Sequence, residues 1–220
     1  MDDAGNFAES SECKAVLRGE LDDSGSIKDI FSGFGNNIIK VMREEDFDKE
    51  VYERLRDSSW VADAEVKKRD WSDIDYWENT VVINQKKADF ELRGAIDEYG
   101  AGRVIEMAVN DLLDNFTEEG IVYKDPKDNV GFFDDQPKAF DVYDTSAFIL
   151  FDGTPEEFSP MEKYRFEGAA ANMYKQFAED IENKSTMDLE MAMNKVAGES
   201  DYLSDNHLDD LSHFQDSFDY

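Results

Sequence analysis

Basic residues are scarce in this chain. Its 220 residues include 23 Lys and Arg against 53 Asp and Glu, a formal net charge of −30. The largest basic cluster is Lys67-Lys68-Arg69. That is too little for the cationic face that grips a phosphate backbone, so direct nucleic-acid binding is not expected. Cysteine is nearly absent, and a lone Cys13 excludes an intrachain disulfide framework. The two histidines, His207 and His213, lie in an acidic stretch far from Cys13. A zinc site or a Ser-His-Asp triad would have to be built from that stretch, and neither is expected. No apolar run approaches the ~18–20 residues of a membrane span. The opening MDDAGNFAESSE has neither the basic nor the apolar region of a secretory signal. The expectation is a cytoplasmic protein with no membrane partner. No internal repeat of repeat-protein length is visible.

The apolar content is ample. Hydrophobic residues make up 40% and aromatics 13% of the chain, too much for a disordered polymer. The length suits one ordinary domain, or one split into two small lobes. Acidic residues are interleaved with apolar ones, as in a folded protein with an acid-coated surface. Self-repulsion of that size is relieved by salt, because the Debye length falls to about 3 Å at 1 M. The composition resembles that of proteins from salt-in halophiles or their viruses; for a viral protein the location would be the host cytoplasm. A mimic of nucleic-acid charge that binds basic partners is the rival reading.

Residues 1–14 read as a flexible acidic lead-in. Strands are expected from Ala15 toward Leu21, over Ile27–Phe31 and over Ile38–Val41, with turns at Asp22–Gly25 and Ser32–Asn37. Glu44–Arg56 reads as a helix, with Phe47, Val51 and Leu55 as its core stripe. Thr80–Ile83 reads as a buried strand. Asp89–Gly102 reads as a connector because of Gly94, Gly100 and Gly102. A helix is expected over Arg103–Phe116. Thr154-Pro155-Glu156-Glu157 carries the signals of a helix start, with Ala169, Met173, Phe177 and Ile181 as the core face. Ser185–Asp188 opens a further helix, and an acidic aromatic tail begins at residue 198. It is a possible contact for a protein partner.

The most informative stretch is Glu119–Phe148. Val130-Gly131-Phe132-Phe133 and Ala139-Phe140 flank the turn Asp134–Pro137. A hairpin is expected, since Asp and Pro favour turns and Phe favours strands. It would bring Asn129 beside Asp141. Carboxylate and amide oxygens of this kind suit magnesium.

This stretch resembles the catalytic and metal-binding loops of the protein-kinase-like superfamily, which includes aminoglycoside phosphotransferases. Those carry H-R-D or H-G-D, a loop Asn, a short hairpin, then D-F-G or a D-x-x-D variant. Tyr123-Lys124-Asp125 stands at the first motif and Asp141-Val142-Tyr143-Asp144 at the last. The resemblance covers roughly residues 15–150. It implies an α+β, two-lobed domain, with an N-terminal antiparallel sheet (15–87) and a mainly helical C-terminal part (88–197), ahead of the tail (198–220). It implies ATP and Mg2+ as cofactors. Asp125, Lys40 and Glu50 would be catalytic, Lys40 and Gly25 would face the nucleotide, and Asn129, Asp141 and Asp144 would hold the metal. Gly33-Phe34-Gly35 is an alternative phosphate loop. The chain departs from the pattern in three ways: Tyr123 replaces His, Asp125 and Asn129 are one residue closer than in H-R-D-x-x-x-x-N, and Pro126 lies between them. These departures also fit a pseudokinase, or a non-enzymatic acidic interaction protein from a virus or mobile element of a halophile.

Overall fold

The computed structural model describes residues 21–24, 28–32, 36–69, 80–140, 142–145 and 147–206. The chain forms two compact units: Met1–Asp57 with Ala62–Lys87 and Tyr143–Thr145, and Ser58–Val61 with Ala88–Val142 and Ser146–Tyr220. The architecture is α+β, with an antiparallel sheet first and a mainly helical part after it.

The first unit is built on β1 (Leu21–Ser24), β2 (Lys28–Ser32), β3 (Asn37–Arg43), β4 (Ala64–Arg69) and β5 (Thr80–Lys86), in the order β1-β2-β3-β5-β4. All pairings are antiparallel. β3 and β5 are rich in Ile and Val, which suit a pleated surface. Ile39, Val41, Met42, Val81, Val82 and Ile83 are buried in succession, as in an interior strand covered on both faces. Several expectations shift. Asp22-Asp23-Ser24 belongs to β1 rather than a turn, and the stretch before Leu21 lies outside the described residues. β5 runs on through Asn84 to Lys86. β4 was not expected, because AEVKKR lacks an apolar rhythm; it stands at the end of the sheet order.

The helix expected over 44–56 is shorter. Glu44–Asp46 forms a 3-10 turn, Phe47 and Asp48 are extended, and α1 spans Lys49–Leu55. Asp48 sets the start: its Oδ1 accepts the Val51 N–H at 3.0 Å, satisfying a donor that the first turn leaves open. Val51 and Leu55 are buried, as the stripe predicted.

The second unit begins with β6 (Phe90–Glu91) and α2 (Leu92–Tyr99), inside the stretch read as a connector. Gly94 is a helix residue beside the Phe90 ring, which lies 3.4 Å from where a Cβ would be, an ordinary contact distance. Gly100, at φ 82°, breaks the chain into α3 (Ala101–Ala108). A π turn over Val109–Leu113 leads into α4 (Asp114–Glu118). Then come β7 (Ile121–Tyr123), β8 (Val130–Phe133), β9 (Gln136–Ala139) and β10 (Phe148–Leu150), with β7 paired to β10 and β8 between β6 and β9. The hairpin forms as expected, but its turn is only Asp134-Asp135, both at positive φ. That conformation matches the twist of a two-residue hairpin, and Asp tolerates it.

The long helix α5 (Pro160–Lys184) starts five residues later than Thr154 suggests, since its N-cap is Ser159. Thr154–Glu157 closes a single turn, and Phe158 joins Phe151 and Phe166 in a ring cluster. Ser159 then forms the capping box with Glu162 that starts α5. Met173, Phe177 and Ile181 are buried along it. Asp188 caps α6 (Leu189–Glu199), and α7 (Asp201–Asp205) follows, with Tyr202 and Leu203 buried. The acidic tail is therefore folded in its first part. No helix among the described residues is long and apolar enough to cross a membrane.

Candidate functional site

In the second unit the loop from Tyr123 to Asn129 is fastened at both ends. Tyr123, at the position where the resemblance would have His, is buried. Its hydroxyl is shared between the carbonyls of Phe140 (2.9 Å) and Asn129 (3.2 Å), across the base of the β8–β9 hairpin. Lys124 N–H donates to Ala147 O at 2.8 Å, and Phe140 N–H to Asn129 O at 3.0 Å. Pro126 is buried, while Asp125 is exposed. Inside the loop, Asn129 N–H donates to Pro126 O at 3.2 Å and Asn129 Nδ2 to Asp125 O at 3.1 Å. A carbonyl accepts only from the NH2 side of an amide, so this contact fixes which way the amide faces. Asn129 Oδ1 is left with no protein donor among the described residues.

Asp128, just before Asn129, has a left-handed φ of 60°. Its N–H donates to Asp180 Oδ2 at 3.1 Å. Lys184 Nζ donates to both Asp180 Oδ1 and Asp128 Oδ1. Asp180 is on α5 and wholly buried. Burial alone would lower the Lys184 pKa; its bonds to Asp128 and Asp180 outweigh this and hold it above the usual lysine value.

In the first unit Lys40 sits midway along β3, with Ile30 and Ile83 as its cross-strand partners. It is only 3% exposed, so it is not an ordinary solvated strand lysine. An ammonium held out of water needs anionic or polar company. Asp144 is placed by backbone pairing with Phe47. Its neighbours complete a short ladder at the start of α1: Asp48 N–H donates to Tyr143 O at 2.8 Å, and Thr145 N–H to Asp46 O at 3.1 Å. The rings of Phe47, Tyr52 and Tyr143 cluster beside it in tilted and edge-on contacts. Glu50 is exposed in the first turn of α1. The structure thus brings the Asp144 segment and Glu50 to one end of α1. Lys40, Asp125 and Asp144 all have interaction partners. Gly25, Asp141 and the Gly33–Gly35 loop lie outside the described residues.

No protein-family model matches the chain, and no curated protein matches it. One solved structure that it is similar to is "WaaP in complex with acyl carrier protein", at 11% identity and a TM-score of 0.47, with 98% of each chain covered. Likeness at that level carries no argument about activity or partner.

The Asn129 amide oxygen is of the kind that magnesium accepts. Among the described residues no group of three His, Cys, Asp or Glu could hold a metal. Three residues that shape the loop escaped the sequence reading. Tyr123 was noted only as a departure from His. Asp180 and Lys184 carried no local signal, although their i, i+4 spacing on a helix was visible.

Proposed function

We propose that this chain is a kinase-like phosphotransferase that binds ATP with magnesium. The observation that carries the reading is Asn129: its amide is pinned by Asp125 O, leaving Oδ1 to face a cation, in the loop that also presents the exposed Asp125 carboxylate. The buried Lys40 supports it, because a fixed ammonium is what phosphate oxygens require. Asn129, Asp141 and Asp144 would hold magnesium, which neutralises charge on the phosphates. Lys40 would engage the phosphates, Gly25 would lie in the covering loop, and Glu50 would support Lys40. Asp125 would orient an acceptor hydroxyl and take its proton as that oxygen bonds to the γ-phosphorus and the bond to ADP breaks. Such catalysis is mainly placement and charge stabilisation.

The one-residue shortening between Asp125 and Asn129 favours a second reading, nucleotide binding without turnover. ADP release and thermal stabilisation, measured at high potassium chloride with ATP and magnesium, separate the two. Magnesium-dependent stabilisation that disappears in Lys40→Met and Asp141→Ala is the expected result. ADP release lost in Asp125→Asn identifies turnover; stabilisation without ADP release identifies the second reading. A folded wild-type protein indifferent to both ATP and ADP would end both.

A further inference from the structure

We propose that Lys184 is a positioning residue for the Asp125–Asn129 loop, locking Asp128 in its left-handed conformation and so presenting Asn129. The functional consequence rests on the nucleotide–metal reading of that loop; the lock itself does not. Asp128 is gripped twice, at its N–H by Asp180 Oδ2 and at its carboxylate by Lys184. Lys184 also bonds Asp180 Oδ1, so the three residues form a closed ring. The φ of 60° at Asp128 is disfavoured for a residue with a Cβ and persists only when its surroundings hold it. The charges explain why a cation is needed. Asp180 is fully buried and Asp128 stands against it. Without Lys184 two carboxylates would share one corner of an already acidic molecule, and like charges at that range repel.

A lysine at the end of α5 also favours the helix dipole. That role would not involve Asp128, and the two roles separate experimentally. In Lys184→Met, hydrogen exchange across residues 123–130 should rise at least about tenfold. Hydrogen bonds to charged groups are among the stronger ones in proteins, and a tenfold change corresponds to about 1.4 kcal/mol. Mn2+ binding with ATP should weaken in parallel. Lys184→Arg should retain most of both properties. Adding Asp128→Gly to Lys184→Met should restore slow exchange at neighbouring amides, since glycine accepts positive φ and removes the repelling carboxylate. Should Lys184→Met not fold, Asp128→Asn breaks the same ion pair from the loop side and should loosen the loop likewise. Unchanged exchange over 123–130 in the folded Lys184→Met or Asp128→Asn protein overturns the proposal, as does failure of Asp128→Gly to rescue. A wild-type protein that binds no Mn2+ with ATP would defeat the functional reading instead, while the exchange comparison would still decide the lock.

Discussion

Replacing Asp114 with Ala should destabilise the second unit by about 2–4 kcal/mol. The π turn Val109–Leu113 ends at Asp114, whose side chain is buried at 6% exposure. It accepts the Tyr174 hydroxyl at 2.6 Å, Ser200 Oγ at 2.7 Å and the Asp201 N–H at 2.9 Å. One carboxylate therefore joins α4, α5 and the start of α7. Leaving a buried donor unmatched costs about 1–3 kcal/mol. The simple sum over three donors is reduced in two ways. Thr117 Oγ1, 3.3 Å from the Tyr174 hydroxyl, offers it another partner, and the cost of burying a charge is removed with the charge. Urea denaturation in constant high salt measures the global loss, and hydrogen exchange of residues 200–206 locates it. A loss below about 0.5 kcal/mol, the range of an ordinary surface substitution, with α7 exchange unchanged, would refute the assignment.

The same variant carries a pH test. Burial raises the Asp114 pKa above the ordinary carboxyl value, against the lowering effect of bonds from Tyr174, Ser200, Asp201 and Tyr202. A carboxyl that holds its proton more tightly when folded contributes fully below its unfolded pKa. That contribution is lost as pH rises through the folded value. The stability gap between wild type and Asp114→Ala should therefore narrow as pH climbs through this window. A gap that widens would mean that the hydrogen bonds, not burial, dominate.

Two further changes test the local geometry. Gly120 has φ 67°, and a Cβ there would lie 2.3 Å from the Gly153 carbonyl oxygen. Gly120→Ala should cost about 2–4 kcal/mol by thermal or urea unfolding, and a near-neutral result would show that the backbone can give way. Ser159→Ala removes the capping box of α5 and should cost about 1 kcal/mol. Destabilisation by Thr154→Ala exceeding that of Ser159→Ala would argue that α5 starts at the earlier signal.

Where side-chain pattern and burial agree, the sequence was readable. Ile38–Val41 and Thr80–Ile83 announced the inner strands, Phe132 and Phe133 announced the hairpin, and Met173, Phe177 and Ile181 marked the core of α5. Elsewhere local signals competed. Gly94 masked α2, the lysines of β4 hid a strand, and two helix-start motifs stood five residues apart, only the second of which opens α5. Among 53 acidic residues, nothing in residue type marks Asp114 and Asp180 as buried. Their roles arise from partners more than 50 positions away. Lys40 was more legible, because Ile39 and Val41 placed it on an inner strand.

The most direct test of the nucleotide reading is Mn2+ binding in the presence of ATP, followed by electron paramagnetic resonance at high potassium chloride. The full chain should show saturable, ATP-dependent Mn2+ binding, at least about tenfold weaker in Asn129→Ala, a loss of about 1.4 kcal/mol. A folded wild-type protein with no such binding, or one whose binding is untouched by Asn129→Ala, would contradict the account.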